Sequence, residues 1–561
     1  MTDHALDLLR QRPDLAELAA YPFNFDLDRA DHVEAVRLAS GGSLVPIAGD
    51  DTGGTFFVCD GGRVLYASSE GQAGLIGDSV TEALEVIVGL PSWHDCVSLA
   101  PADSPDGEQR IRDDLAELEE EFLEYVPELA TFRADLRAGL GLPERSPTEL
   151  VARLYDALIR TEPEYLLLNA DELLAYEPLD RHPRPPLWQT VLGPGRADLA
   201  LLRADPAAWE EVAGDGTRRA VVLRAAQYDR REEDLPFLRQ LMKREADEAG
   251  MSDELRLAVV LVGLRGLPED LPLLREVHET TYDTWCGLGG MPQDAAALAN
   301  WARDLDESEY GTDPADEGEL AWIALADRQG LTEHARAALI RMLDDTGPDA
   351  EILRSLRQGR EPGPYSGADR PRLRTLSHEL ELIGDLAQAA RAQRLYVSLQ
   401  DTAWSRASEG CTLARLERER ESLESAAAAL RGVVTALGAD DPRAASLGPG
   451  TVSEPVQTAL DVPIAEAGPD AAEDTSAQGW HNYGLGMSVV GEHFRLAIAA
   501  GEAGVPVLAS AAYATGERLL RQLIPAGRAG CAELAKEAEA VARTAAGASV
   551  PAAPDAPDAA T

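Results

Sequence analysis

The chain has 561 residues, and its 98 Asp and Glu residues outnumber its 51 Lys and Arg residues, which gives a formal net charge of −47. A field this negative repels phosphate backbones and anionic lipid headgroups, so nucleic acid and membrane surfaces are excluded as favoured partners. A basic protein is the partner that the charge favours. Only 5% of the residues are aromatic, so Leu, Val and Ala must do most of the packing, which favours helices.

The five cysteines are scattered, and no two form a C-x-x-C pair. This spacing argues against a disulfide framework and against a zinc knuckle. The N-terminal segment is charged and has no apolar signal core, and no apolar run reaches the ~18 residues that span a bilayer. We therefore expect a cytoplasmic protein.

Residues 1–99 predict a small α+β domain, because short β-forming runs follow two helical stretches. A helix is predicted over 28–42, with Asp28 or Asp31 as its N-cap. Three strands are predicted from the runs "SLVPIAG", "TFFVCD" and "RVLYASS", and the "DGG" between the second and third is typical of a tight turn. The apolar spacing over 80–88 then predicts an amphipathic helix.

The glycine-rich loop "GDDTGG", at positions 49–54, is the first candidate for a site. It is not followed by the Lys-Ser/Thr of a Walker loop, and it lacks the acidic spacing of a calcium loop. As a turn between strands it is well explained, because Gly53 and Gly54 supply positive φ and Asp51 can form an Asx-turn.

The same stretch resembles the second half of the SUKH (Smi1/Knr4-like) superfamily. The matching motifs are an apolar-Ala-x-Asp turn, a Gly-rich loop, an aromatic strand, a V-x-Y strand and a closing helix, here at 47–50, 53–54, 56–59, 64–66 and 80–88. The resemblance implies a non-enzymatic binding domain, commonly an immunity protein against bacterial toxins or a regulatory adaptor. It makes Asp50, Asp51, Gly53, Gly54 and Tyr66 the candidate binding loop.

From about residue 110 onward the sequence predicts no strand, and 110–176 is predicted as a helical connector. A 36-residue period follows, because "DLALLR", "DLPFLR" and "DLPLLR" begin at Asp198, Asp234 and Asp270. Each unit predicts a helix, a turn and a second helix with its Asp as N-cap. Such units resemble degenerate HEAT repeats, which implies a curved α-solenoid over 187–360, interrupted by an insertion at 285–318.

Longer helices return after the repeats. Residues 372–437 predict a helical hairpin or a short coiled coil. A composition rich in Ala, Asp, Gly and Pro predicts a disordered linker over 438–478, helices are expected over 479–547, and the tail 548–561 is predicted to be disordered.

The sequence contains no complete catalytic motif, and it predicts no cofactor and no metal site. The fold class is therefore a small α+β N-terminal domain followed by a HEAT-like α-solenoid and C-terminal helices. The predicted function is non-enzymatic protein binding, with a basic, toxin-like protein as partner. Two alternatives stay open: a metal-dependent hydrolase that uses His94 and Asp95, and a scaffold that forms homo-oligomers.

Overall fold

A computed structural model describes residues 3–90, 92–102, 104–248, 250–347, 369–439, 472–523 and 525–548. The chain divides into two compact units, Met1–Ala338 and Leu339–Thr561. The first unit contains both β-sheets of the described residues and the repeat region, and the second is helical. A mostly helical protein with a small N-terminal sheet region therefore matches the expected fold class at that level.

The first unit holds a five-stranded sheet in the order β2-β3-β4-β5-β7 and a two-stranded sheet that pairs β1 with β6. All pairings are antiparallel except that of β5 with β7, which is parallel. The strands are β1 Val36–Leu38, β2 Leu44–Gly49, β3 Thr55–Cys59, β4 Val64–Ala67, β5 Gln72–Gly77, β6 Leu167–Asn169 and β7 Glu177–Pro178.

The three predicted strands are present as β2, β3 and β4, and the predicted helix is present as Val80–Gly89. The predicted helix over 28–42 is wrong. That segment forms a 3₁₀ turn at Leu27–Arg29 and the strand β1, because Val36 to Leu38 pair with β6 from 130 residues further along the chain. Strand β5 was not predicted either, because its three small residues, two of them Gly, give a weak strand signal.

The helices of the first unit, in chain order, are α1 His4–Gln11, α2 Pro13–Ala20, α3 Val80–Gly89, α4 Trp93–Cys96, α5 Pro105–Tyr125, α6 Leu129–Leu140, α7 Pro147–Ile159, α8 Leu187–Ala204, α9 Trp209–Gly214, α10 Gly216–Tyr228, α11 Leu235–Glu248, α12 Asp253–Gly263, α13 Leu271–His278, α14 Tyr282–Gly287, α15 Ala295–Leu305, α16 Glu319–Arg328 and α17 Thr332–Asp344. Helix α17 crosses the division between the units at Ala338.

Residues 110–176 contribute directly to the N-terminal core rather than linking two domains. Leu129, Leu136, Leu150 and Leu158 are buried in one cluster with the inner face of α3 and the strands β2 to β5. Strands β6 and β7 lie in or just after this stretch, so the prediction of no strand beyond residue 110 is wrong. Both are two or three residues long and depend on pairing with distant strands, which local sequence does not reveal.

The repeat region consists of packed helix pairs. Helix α10 packs against α8 and α12, and α11 packs against α9, α12 and α13. A short 3₁₀ turn precedes the second helix of two pairs, at Glu232–Asp234 before α11 and at Pro268–Asp270 before α13. The period of the sequence thus corresponds to a recurring helix, turn and helix in these two units.

Two of the three periodic aspartates do not act as the predicted N-caps, and Asp234 accepts the Arg231 backbone N–H at 3.2 Å within the 3₁₀ turn before α11. Asp198 lies inside helix α8, and the Asp270 side chain forms no capping hydrogen bond. Instead, each of the later two accepts from an arginine one unit upstream. Arg203 donates from Nε and Nη2 to both carboxylate oxygens of Asp234 at 2.8 and 2.7 Å, and Arg239 donates from Nε to Asp270 at 2.5 Å.

These two ion pairs share one spacing, because each Arg is 31 residues before its Asp and the arginines are themselves 36 residues apart. The carboxylates are almost fully buried, at 1% and 2% exposure. Asp198 has no preceding repeat to supply its arginine, and it pairs with Arg218 of helix α10 instead. The D-x4-R pattern therefore encodes contacts between successive helix pairs.

Residues 285–318, which were predicted to be an insertion, pack against the repeat helices and contribute to their core. Helix α15 packs against α12, and Leu298 and Ala302 are buried there. A π-helical turn, Asp306–Tyr310, follows, and its Asp306 carboxylate accepts two hydrogen bonds of 2.7 Å from Arg230. Asp306 lies 36 residues after Asp270, but residues 307–311 do not repeat the Leu and Arg of the D-L-x-x-L-R pattern, so the sequence period was not recognised here.

The second unit is a set of helices within residues 370–548. Where a helical hairpin or coiled coil was predicted there are four helices, and a turn at Gly384, with φ +80°, separates the first two. The described helices are α18 Arg370–Leu382, α19 Leu386–Ser398, α20 Ala403–Glu419, α21 Leu423–Ala439, α22 Ala472–Glu502, α23 Pro506–Leu520, α24 Pro525–Gly530 and α25 Ala532–Ala548.

Most of the predicted linker over 438–478 lies outside the described residues, as do the stretch 348–368 within the predicted solenoid and almost all of the predicted tail over 548–561. Helix α22 begins at Ala472, inside the segment that was predicted as linker. None of the described helices is both long enough and apolar enough to cross a membrane.

The buried ion pairs give the first prediction. We expect Asp234→Ala to lower the free energy of unfolding by about 2 kcal/mol, because the partly buried Arg203 guanidinium loses two charge-assisted hydrogen bonds and keeps only Asp229 as a carboxylate partner. Glu210→Ala is the control. It removes the exposed pair of Glu210 with Arg244, and we expect a loss below about 1 kcal/mol. Urea unfolding of the full chain, followed by circular dichroism, measures both, and equal losses would contradict a structural role for the Asp234 pair.

Candidate functional site

The carboxylate of Asp50 is the centre of the glycine-rich loop after β2. Its Oδ1 accepts the Thr52 backbone N–H at 2.9 Å, the Thr52 hydroxyl at 2.8 Å and the Gly54 backbone N–H at 2.8 Å. Its Oδ2 accepts the Tyr66 hydroxyl from β4 at 2.6 Å. Asp50 therefore forms the Asx-turn predicted for Asp51, whereas Asp51 is exposed.

Two glycines allow this arrangement. Gly53 has φ +89°, in the left-handed region, whereas Gly54 does not have the positive φ that was predicted for it. Gly54 lies against the Tyr66 ring, and a Cβ there would be 2.1 Å from the Tyr66 hydroxyl oxygen. Only a residue without a side chain at position 54 lets Tyr66 reach Asp50.

The bonding at Asp50 keeps it ionised. Burial alone would raise its pKa, but the hydrogen bonds from Tyr66, Thr52 and Gly54 together outweigh burial and hold the pKa below its ordinary value. Burial and the adjacent carboxylate raise the pKa of Tyr66, so its hydroxyl stays protonated and donates. With four donors already bound, the Asp50 carboxylate is an internal anchor for the loop.

The structure brings His94 to Asp50 rather than to a partner near Asp95. Its Nε2 lies 3.6 Å from Asp50 Oδ2, and its ring lies 3.7 Å from that of Trp93 between centroids. Asp95 is exposed. No group of three or more His, Cys, Asp or Glu side chains within the described ranges is placed to hold a metal ion.

A cavity of about 590 Å³ lies in the second unit between helices α20 and α22. Two of its lining residues are arginines, and both are already paired. Arg415 donates to Glu381 at 2.8 and 2.9 Å, and Arg495 donates to Glu492 at 2.7 Å. The cavity has the volume of a ligand site, but its paired arginines provide no specific feature that selects a ligand.

The sequence reasoning missed the acidic aromatic surface, which we define as His278, Glu279, Tyr282, Asp283 and Trp285 at the end of α13 and in α14. Tyr282 is 77% exposed and Trp285 55% exposed. Their rings are stacked, with centroids 6.0 Å apart and an interplanar angle of 25°, and the His278 ring lies 6.5 Å from that of Trp285. Two large exposed rings on adjacent positions of one helix turn are typical of a binding hot spot.

The helix beneath these rings is firmly anchored. Thr281 and Thr284 cap it reciprocally, with Thr284 N–H donating to the Thr281 hydroxyl at 3.0 Å and Thr281 N–H donating to the Thr284 hydroxyl at 2.9 Å. Thr284 is fully buried, and its hydroxyl also donates to the His278 carbonyl at 3.1 Å. The exposed rings are therefore held on a fixed turn, so little backbone ordering is needed on binding.

The turns that carry the rings are acidic. Residues 279–287 contain Glu279 and Asp283 and no Lys or Arg. Glu279 and Asp283 are exposed, and neither pairs with a cation in the part of the chain that the structure describes. Aromatic faces beside unpaired carboxylates suit a Lys or Arg side chain.

A signal for this surface was present in the sequence. The stretch "ETTYDTW" has a T-x-x-T capping pattern, with Tyr and Trp three residues apart, one acid between them and one before them. Exposure could not be read from it, because the same Tyr and Trp spacing is equally typical of a buried helix face. The predicted loop residues, by contrast, lie together, but the Asp50 carboxylate among them already accepts hydrogen bonds from within the fold. The three repeat aspartates each accept from an arginine and do not bond to the acidic aromatic surface.

The Asp50 anchor gives the second prediction. We expect Tyr66→Phe to lower the free energy of unfolding of the N-terminal region by about 1–3 kcal/mol, because a buried carboxylate oxygen loses its hydroxyl donor while the ring is kept. Tyr125→Phe, at a side chain that is 81% exposed, is the matched control and should leave stability unchanged. Hydrogen exchange of the β2 to β4 amides measures the effect, and identical exchange in both variants would refute the anchoring role.

Comparisons of the chain with protein-family models, with curated proteins and with solved structures find no match. The likeness to the SUKH superfamily and to HEAT repeats therefore stays a prediction from motifs.

Proposed function

We propose that this chain is a non-enzymatic protein-binding protein of the cytoplasm that holds a basic protein partner on its acidic aromatic surface. In biological terms it would be a bacterial immunity protein or a regulatory adaptor, with a toxin-like protein as partner. The net charge of −47 would speed association with such a partner and disfavour acidic competitors.

The observation that carries this proposal is the stacked, exposed pair of Tyr282 and Trp285. Tyr and Trp are over-represented among residues that dominate binding energy, because they offer large rigid contact areas at small entropic cost. Unpaired Glu279 and Asp283 on the same turns add an attraction for cations. A guanidinium can stack on such a ring and bind a carboxylate at the same time.

The repeat region supports the proposal, because stacked helix pairs provide extended surfaces. We propose that these pairs form a HEAT-like α-solenoid. The recurrence of the Arg203–Asp234 contact as Arg239–Asp270, one sequence period later, supports a regular relation between neighbouring units.

The N-terminal region is proposed to be SUKH-like. Its antiparallel strands β2, β3 and β4, the Gly-rich loop and the following helix α3 occur in the order that the resemblance implies. In this proposal the region recognises a second partner. The loop at Asp50 serves its architecture, since the carboxylate is occupied by internal donors.

The third prediction tests the surface directly. Full-length chain is used to capture proteins at low salt from a lysate of its own host, and the binding of a captured protein is then measured by calorimetry. We expect a basic partner that is released by added salt, because screening weakens charge pairing. The double variant Tyr282→Ser/Trp285→Ser should weaken binding at least tenfold, which corresponds to about 1.4 kcal/mol or more.

Tyr125→Ser is the control, because it removes an aromatic ring of comparable exposure from helix α5. It should bind like the unaltered chain. Failure to recover any protein, or equal affinity of the double variant and the control, would count against this function.

A further inference from the structure

Three arginines surround a small pocket at the turns of two successive helix pairs. The pocket has a volume of about 140 Å³. Arg230, Arg231 and Asp234 line it from the turn between α10 and α11, and Arg265 lines it from the turn after α12. The other lining residues are apolar, namely Ala226, Leu238, Leu261 and Leu264. Such a concentration of positive charge is unexpected in a chain whose acids outnumber its bases by nearly two to one.

Two of the charged groups at the pocket are neutralised within the fold. The Asp234 carboxylate accepts hydrogen bonds from Nε and Nη2 of Arg203. Arg230 donates to both oxygens of Asp306 and to the carbonyls of Gln227 and Gly311. These groups form a rigid wall whose charges largely cancel.

Arg265 is different. Its Nη2 donates to the Arg231 carbonyl at 2.7 Å, and no carboxylate among the described residues pairs with its guanidinium. Four of its five N–H donors are therefore open. Among the described residues, Arg231 beside it pairs only with Asp229, which is half exposed. The pocket therefore keeps a net positive charge, and two adjacent arginines, Arg231 and Arg265, line it.

Arg265 has the opposite charge to the residue at the equivalent position of the preceding repeat. One 36-residue period before Arg265 the chain has Asp229, which accepts from Arg203 at 2.5 Å. At the corresponding place in the next unit an arginine replaces the carboxylate. Arg239 pairs with Asp270 and, from Nη2 at 3.6 Å, with Glu269. Arg265 is thus left as a cation at the place where the preceding repeat has an anion.

We propose that this pocket binds a phosphoryl group. Its volume of about 140 Å³ exceeds the ~30 Å³ that one water occupies, so a four-oxygen anion fits, whereas complete drug-sized ligands need about 300 Å³ or more. The planar fork of a guanidinium matches two phosphate oxygens at once. The group comes either from free inorganic phosphate or from a phosphorylated side chain inserted by a partner. This site is separate from the acidic aromatic surface and does not depend on the proposed function.

The experiment is calorimetric titration of the full chain with inorganic phosphate and with a phosphoserine peptide, at constant ionic strength set with chloride. We expect saturable binding with one site per chain. Arg265→Gln should lower the affinity at least tenfold for either probe. Arg303→Gln makes the same charge change at an exposed arginine whose one hydrogen-bond partner in the described part of the chain is Asn300, and it should leave the affinity within twofold.

Arg265→Lys adds a test of geometry, because it keeps the charge and loses the fork. An affinity between those of the unaltered chain and Arg265→Gln is expected. Tighter binding of the peptide than of free phosphate assigns the group to a phosphorylated partner, and the reverse assigns it to the free ion. The inference is overturned if neither probe binds saturably or if Arg265→Gln and Arg303→Gln bind alike. Thermal unfolding of each variant shows that its fold is intact.

Discussion

The ion pair between an arginine of one helix pair and a buried aspartate of the next determines how the repeat region is assembled. The helix faces there are made of Leu, Val and Ala, whose packing is favourable but not directional. A bidentate contact such as Arg203 with Asp234 has one geometry that satisfies it. A slip of one helix turn would leave a nearly fully buried carboxylate without its cation, which costs several kcal/mol. The pair therefore fixes register where apolar packing alone would not.

The pairing of buried carboxylates with arginines also explains the two surfaces that we connect to binding. Inside the fold, Asp306, Glu245 and Glu317 each accept from an arginine, so the buried acids are neutralised. The excess negative charge is consequently concentrated on the outside. Where it borders the stacked rings of Tyr282 and Trp285, it forms a surface suited to cations. Arg265 stands where the preceding repeat has the acid Asp229, and no carboxylate among the described residues pairs with it, so this position suits an anion.

The glycine-rich loop shows how a chemically suggestive motif can be purely architectural. Two adjacent aspartates among glycines suggest a metal or phosphate site, but the donors around Asp50 come from the loop itself and from Tyr66. The loop is closed by its own hydrogen bonds. Position 54 must be Gly because a side chain there would collide with the Tyr66 ring. Its carboxylate thus holds the strands β2, β3 and β4 at one end of the sheet.

The sequence by itself determined the features that depend on near neighbours: the alternation of β2, β3 and β4, the amphipathic spacing of α3, and the 36-residue period. It could not determine that Val36 to Leu38 form a strand rather than a helix, because their partner β6 lies far along the chain. It identified Asp234 and Asp270 as special but assigned them to helix caps, since a cap is the local role of an aspartate and an arginine 31 residues away is invisible to local patterns. Only the tertiary structure decided which rings remain exposed and which charges remain unpaired, because burial and ion pairing are properties of the assembled surface.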